Sequence, residues 1–313
     1  MNYYMHESGK LWQTEIPKDA ALAVALGCFD GVHIGHKALI DEVAGSDDGL
    51  VPAIWTFSEP LTTPYIEKVE DRIKLCSRYG VKFAICESFE RFKQMSPEEF
   101  VSHLEKSNVK RIVCGEDFRF GHNRAGDAAV LRSECAKRGI AVTVIPSVYT
   151  ELDGERQKVS STLIRSLISD GRVDVAARLL GRPFSISGVV VSGNNLGRTI
   201  QVPTLNQRLA PSRIMPKNGV YNTVCVVNGN KYPSITNVGT RPTVVSGSHE
   251  KNCETHIIGE NLDLYGEIAS VEFYNYVREE RKFDSLEALR EQISNDIDSS
   301  IAFFERYKEK SNG

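Results

Sequence analysis

The chain has 313 residues, 41% hydrophobic and 25% charged, with a formal net charge of −3. That length exceeds what one core usually holds and points to two domains, while the near-neutral charge gives no reason to expect a nucleic-acid partner. The longest apolar run, from Ala20 to Phe29, is about half of the roughly 20 residues that span a bilayer. No membrane partner is expected. The N-terminus lacks an apolar signal-peptide centre, and the seven cysteines are odd in number and form no C-x-x-C pair, which argues against disulfides or zinc and for a cytoplasmic setting.

From Ala20 to about Val148, apolar runs alternate with amphipathic segments. "ALAVALGCF" precedes "HKALIDEVA", "LVPAIWTF" precedes "EKVEDRIKLCSRYG", "VKFAICESF" precedes "SPEEFVSHLEKS", "VKRIVCGEDF" precedes "DAAVLRSECAKRG", and "IAVTVIPSV" closes the series. Continuous apolar strands between helices predict a parallel sheet covered on both faces, an α/β Rossmann-like domain. In "SPEE", Ser96 caps, Pro97 fits the first turn and Glu99 completes a capping box. A further helix ends at Gly181 and Pro183.

Beyond Pro183 short β-rich runs follow one another without helices, and "NGN" at 228–230 supplies a tight hairpin. This predicts a small antiparallel β-barrel. The last segment, "FDSLEALREQISNDIDSSIAFFERYKEK", reads as a long amphipathic helix with Asp284 and Glu287 at capping-box spacing. The expected domains are 1–182 and 183–313.

"GCFDGVHIGH", Gly27 to His36, sits at the carboxyl end of a parallel strand, where such sheets place ligands. Its glycines let backbone N–H groups approach a phosphate, and the following helix N-terminus favours negative charge. His33 and His36 share one helical face. The stretch is neither a Walker loop nor G-x-G-x-x-G, and a capped βα turn with solvated histidines stays open as an alternative. Later, the hydroxyls in "VSSTLIR" (159–165) fit a helix cap, and Arg165 fits an anion cluster.

Taken together, "GCFDGVHIGH", "GEDFRFGHNRAGD" and "VSSTLIR" resemble the bifunctional bacterial riboflavin kinase/FMN adenylyltransferase (FAD synthetase) family. The resemblance implies a nucleotidyltransferase N-terminal domain in which His33, His36 and Arg165 stabilise charge on ATP phosphates. Gly27, Phe29, Asp30, Gly35, Asp117, Phe118, Phe120, Ser160, Ser161 and Thr162 would then line the nucleotide site. One departure is "TFSEP" (56–60), where the family commonly carries a histidine between two prolines.

The β-rich half matches the same family. "PTLN" (203–206) resembles the end of its kinase signature, making Thr204 and Asn206 the Mg2+-ATP ligands, with Gly193, Gly197 and Arg198 in a flap near the phosphates. "CETHII" makes Glu254 the base for a primary hydroxyl, and Asn237 and Arg278 lie in further matching segments. Alone, Glu254 reads rather as a solvated strand residue, and Arg278 and Arg281 read as charges on a solvated face as well as phosphate or flavin neighbours. The resemblance implies that ATP and riboflavin give FMN at the barrel, and that ATP and FMN give FAD and pyrophosphate at the Rossmann-like domain. The alternatives are a chain with only the kinase live, its adenylyltransferase domain degenerate, and a non-catalytic flavin-sensing or RNA-binding module. The expected partners are therefore these small molecules, with self-association left open.

Overall fold

The computed structural model describes residues 2–312 except 8–9, 18, 47, 192–201, 211, 243–248 and 261. By contact the chain forms two compact units, Met1–Leu163 and Ile164–Gly313.

In the first unit, strands β3 (Leu22–Leu26), β4 (Val51–Phe57), β5 (Phe83–Glu87), β6 (Val109–Gly115) and β7 (Ala141–Ile145) pair in parallel. Helices α1 (Ile34–Ala44), α2 (Val69–Arg78), the short α3 (Phe89–Phe92), α4 (Pro97–Glu105) and α5 (Ala128–Ala136) lie between them in sequence. Every residue of β3 is buried, as expected of a strand covered on both faces. The Ser96 and Glu99 capping box forms, with Pro97 in the first turn.

The strand order is β5-β4-β3-β6-β7. The chain winds outward from β3 to β5, returns to β6 beside β3, and winds outward again. The order therefore reverses between β3 and β6, the position at which an open α/β sheet leaves a crevice outside the strands' carboxyl ends. The segments leaving those two strands are "GCFDGVHIGH" and "GEDFRFG".

Two features escape the sequence reading. An N-terminal hairpin, β1 (Asn2–Glu7) and β2 (Lys10–Thr14), extends the sheet antiparallel to β5. A second hairpin, β8 (Tyr149–Leu152) and β9 (Glu155–Lys158), turns through Asp153 and Gly154, both at positive φ (54° and 83°).

In the second unit, strands β10 (Phe184–Val191), β11 (Leu205–Arg208), β12 (Gly219–Val227), β13 (Asn230–Pro242), β14 (His249–Ile257) and β15 (Ile268–Arg278) close an antiparallel barrel in the order β10-β11-β14-β13-β12-β15. Asn228 and Gly229 make the hairpin turn at φ 50° and 81°. Helix α6 (Ser161–Ser169) crosses the contact division, and α7 (Val173–Leu180) belongs to the barrel unit, ending on left-handed Gly181 at φ 70°. The contact division thus precedes the 182/183 boundary expected from sequence. The last helix, α8 (Leu286–Asn312), is capped by Ser285, whose hydroxyl accepts the Ala288 N–H at 3.1 Å. Asp284, the cap expected from sequence, is one residue too early.

Candidate functional site

The crevice between β3 and β6 is shaped by a turn of unusual backbone. Phe29, Gly31 and Val32 all take positive φ (53°, 83° and 41°), so the chain reverses sharply before α1. The ring of Phe29 is fully buried, 5.1 Å from that of His36, and Gly27 sits against it: a Cβ there would meet the Phe29 ring at 3.1 Å.

His33 is the N-cap of α1, and its Nδ1 accepts the His36 backbone N–H at 3.2 Å. Accepting at Nδ1 places the neutral ring's proton on Nε2. The His33 and His36 rings stack at 3.7 Å between centroids. The expected pair is therefore real, but His33 is buried rather than solvated and belongs to the cap itself. Gly35 makes room for it, since a Cβ at 35 would stand 3.2 Å from the His33 Cε1 and Nδ1. Burial, then the charges of His33 and Arg72, hold the His36 imidazole well below its ordinary range. It is neutral near pH 7 and carries a single N–H.

Asp30 does not offer its carboxylate to the crevice. It accepts the N–H groups of Ile66 (3.0 Å) and Glu67 (3.0 Å), pinning the segment before α2. Its backbone carbonyl accepts the Ser161 hydroxyl at 2.8 Å, which ties "VSST" to the histidine turn. Ser160 caps α6 through the Leu163 N–H at 3.2 Å, Thr162 is exposed, and Arg165 lies further along α6, past the contact division. After β6, Phe120 is fully buried and packs on Phe100 and Phe118. It anchors its loop through paired hydrogen bonds with Gly126 (3.0 and 2.9 Å) and has no surface to show a ligand. Asp117 pairs with Lys158 at 2.5 Å.

"TFSEP" has a local structural role. Ser58 N–H donates to the Glu87 carbonyl at 2.9 Å, and the Glu59 carboxylate accepts the Phe89 N–H at 2.6 Å, capping α3.

In the barrel, the expected residues fall on one rung. Asn206 on β11 is opposite Glu254 on β14, Glu254 is opposite Asn237 on β13, Asn237 is opposite Val220 on β12, and Val220 is opposite Arg278 on β15. Directly opposed side chains stand about 5 Å apart at Cβ, so segments 72 residues apart in sequence, from 206 to 278, deliver their polar groups to one band. Glu254 alternates with fully buried Cys253 and Thr255, which turns it outward into a cavity of about 350 Å³. Thr204, Asn237, His256, Arg278 and Glu280 line it too, roofed by Leu289 and Ile293 of α8.

A second cavity of about 230 Å³, lined by Val190, Pro203, Leu205, Leu262, Leu264 and Tyr265 among others, also includes Thr204. Thr204 thus stands at the wall of both. Glu254 Oε1 accepts the Asn252 amide at 3.2 Å, and Asn237 donates its amide to Glu280 at 3.1 Å. Arg278 is clamped by Asp296 of α8, with Nη2 to Oδ2 at 2.6 Å and Nε to both oxygens at 3.0 Å. Gly193, Gly197 and Arg198 lie outside the described residues.

No group of three or more His, Cys, Asp or Glu among the described residues is arranged to hold a metal. The Thr204 hydroxyl and Asn206 amide are hard oxygen donors. Such a pair suits Mg2+, which keeps most of its water and is shared with substrate phosphates.

Asp296 and Arg72 escape the sequence reading. Each is a charge on the apolar stripe of a helix: Asp296 follows Leu289 and Ile293 at helical spacing, and Arg72 lies between Val69 and Cys76. That misplacement was the available signal.

An α/β unit with two stacked histidines on the turn at its strand reversal, and a barrel with a carboxylate at one cavity and a threonine shared with a second, fit a two-site transferase. The riboflavin kinase family model matches residues 180–304 and the FAD synthetase model residues 15–163. Curated bifunctional riboflavin kinase/FMN adenylyltransferases are similar across most of the chain. That of Buchnera aphidicola subsp. Schizaphis graminum is 34% identical (90% of this chain, 94% of the relative). Those of Bacillus subtilis and Escherichia coli K12 are each 33% identical (92% and 93% of this chain, 94% and 95% of the relatives). A crystal structure from Streptococcus pneumoniae, described as a macrolide-efflux protein, matches with TM-score 0.81 and 32% identity over 91% of this chain and 95% of its own. No helix among the described residues is long and apolar enough to cross a membrane. The chain belongs to the bifunctional riboflavin kinase/FMN adenylyltransferase family.

Proposed function

We infer that the chain converts riboflavin to FMN in the barrel unit and FMN to FAD in the α/β unit, each step using ATP. The observation that carries the kinase half is the rung from Asn206 to Arg278, with Glu254 facing one cavity and Thr204 shared with a second.

Riboflavin occupies the cavity beneath α8, with its ribityl end toward Glu254, and the nucleotide occupies the neighbouring cavity. Glu254 orients the 5′-hydroxyl and accepts its proton as the oxygen attacks the γ-phosphorus and ADP departs. Thr204 and Asn206 would hold Mg2+-ATP through their side-chain oxygens, and the ion, when bound, would supply positive charge against the phosphates. Asn237 is oriented by Glu280 toward the flavin. Arg278, its charge already answered by Asp296, holds the cavity wall to α8. Gly193, Gly197 and Arg198 are assigned to the phosphate flap by resemblance.

In the α/β unit, ATP phosphates lie on the N-terminus of α1 and the Gly27–Gly35 turn. An FMN phosphate oxygen attacks the α-phosphorus, the bond to the β-phosphate breaks, and pyrophosphate leaves. The Nε2–H of His33 and neutral His36 donate to the oxygens that gain charge, a role assigned to Arg165 by resemblance alone. Ser160, Ser161 and Asp30 act as backbone organisers, Thr162 lies at the exposed rim, and Asp117 and Phe118 border the nucleotide. The catalytic domains are taken as 1–182 and 183–313, and both work in the cytoplasm, where ATP is made available and seven free thiols stay reduced.

The test is incubation of the purified chain with riboflavin and Mg2+-ATP, followed by mass spectrometry. FMN appearing before FAD, with ADP and pyrophosphate as co-products, is expected. FMN without FAD refutes the second activity, and neither product refutes both.

A further inference from the structure

Arg72 is 1% exposed. Its Nη1 donates to the Cys28 carbonyl at 2.5 Å and to the Thr56 hydroxyl at 3.3 Å, and that hydroxyl donates to the same carbonyl at 3.0 Å. One guanidinium therefore ties α2 to the end of β4 and to the turn that carries both histidines. Its Nε is buried with no hydrogen-bond partner, and it makes no ion pair among the described residues.

A guanidinium cannot shed its proton, and a buried charge without a counter-ion is costly. Simple packing on α2 would be served better by an apolar side chain, as at Ile73 and Cys76, both buried. The charge is instead retained immediately behind a turn whose glycines and helix end suit an anion. We propose that Arg72 is a positioning residue of the adenylyl-transfer site, holding the Gly27–His36 turn in its phosphate-receiving shape, with the counter-charge it lacks arriving on ATP. This rests on the adenylyl-transfer reading above.

The geometry has a consequence at His36. The groups that act on its ring are His33, stacked from the same turn, and Arg72 from α2, while Phe29 contributes an apolar face. Arg72 is thus one of the causes that keep His36 neutral, behind burial and His33. The loss of the Arg72 charge can therefore be read at the imidazole as well as in the rate.

The experiment compares full-length Arg72→Gln, which keeps a donor for the Cys28 carbonyl but loses the charge, with Arg72→Lys, which keeps the charge but loses the fork. FAD formation is measured from added FMN and Mg2+-ATP, FMN formation from riboflavin in the same preparation reports on the barrel unit, and thermal unfolding reports on the fold of the α/β unit. The His36 ring is titrated by 15N NMR without ligands. For Arg72→Gln we expect kcat for FAD formation to fall roughly 10- to 100-fold, the scale of a misplaced reacting group, and the His36 midpoint to move up. Arg72→Lys should keep the midpoint low and recover part of the rate. An Arg72→Gln protein that matches wild type in either readout overturns the inference. Absence of FAD from the wild-type protein would sink the functional reading instead, and the titration would still decide whether Arg72 acts on His36.

Discussion

Gly35→Ala separates the stability of the histidine turn from its function. An added Cβ would stand 3.2 Å from the His33 Cε1 and Nδ1, tighter than ordinary contact, so the ring must shift by a few tenths of an ångström. The shift stretches the 3.2 Å bond from the His36 N–H to His33 Nδ1 and disturbs the stack with His36. Losing an N-cap acceptor costs about 1 kcal/mol, while alanine in place of glycine within a helix contributes about 1 kcal/mol in the other direction. The two nearly cancel, and thermal unfolding should change by only a few degrees. Catalysis has no such offset: a donor displaced by part of an ångström should lower FAD formation roughly 10-fold. The assay pairs calorimetry with separate measurements of FAD formation from added FMN and FMN formation from riboflavin, the latter expected unchanged. Wild-type FAD formation in the variant would refute the reasoning, because it would mean that the His33 position does not matter. A parallel loss of both activities would refute it too, by showing a global defect.

Glu254→Gln should lower riboflavin phosphorylation by about 10²- to 10⁴-fold while leaving FAD formation from supplied FMN intact; kinase activity within threefold of wild type would remove Glu254 as the base. Asp296→Ala strips the clamp from Arg278 at a pair whose side chains are 21% and 6% exposed. Stranding that half-buried cation should destabilise the barrel unit by about 3 kcal/mol and raise the KM for riboflavin, read by denaturant unfolding and steady-state kinetics. If Asp296→Ala together with Arg278→Met is no more stable than Asp296→Ala alone, the stranded-charge account fails. For pH, His36 and His103 are both held below their ordinary value of 6.5, each chiefly by burial. The unfolded chain therefore binds protons that the folded chain refuses, so their contribution is complete above about pH 6.5 and is lost as pH falls toward the folded values. The unfolding temperature of the α/β unit should drop between about pH 7.5 and 5.5, and an unchanged value over that interval contradicts the assignment.

What the sequence could reveal followed from periodicity and from residues whose geometry is local. The five parallel strands, the Ser96 capping box and the Asn228–Gly229 turn are each set by neighbours a few residues away, and all were legible. The cap of α8 was missed by one residue because Asp284 and Ser285 are both competent caps, and only packing of the helix selects between them. The rung across β11, β14, β13, β12 and β15 is of another kind. Each of Asn206, Glu254, Asn237 and Arg278 alone reads as a turn or surface residue, and only strand register brings them level. Register is fixed by which face is buried, information spread over the whole barrel. Motif order could therefore name these residues, but not state that they meet.

The same reasoning explains why Arg72 and Asp296 went unread. Periodicity treats a charge on an apolar stripe as noise, although a buried charge is stable only where something answers it. Asp296 is answered within the barrel unit by Arg278, so it braces α8 over the cavity that Glu254 lines. Arg72 is answered by carbonyl and hydroxyl oxygens but by no anion among the described residues. The difference separates a charge whose function is complete in the folded chain from one whose function is completed by substrate. It also makes opposite demands on substitution. Removing both members of the Arg278–Asp296 pair should be gentler than removing Asp296 alone, as above. At Arg72, an apolar residue of similar volume should leave stability unchanged or raise it, while FAD formation falls. An Arg72→Met protein that unfolds at a lower temperature than wild type, yet makes FAD at the wild-type rate, would show that the buried charge serves the fold and not the phosphates.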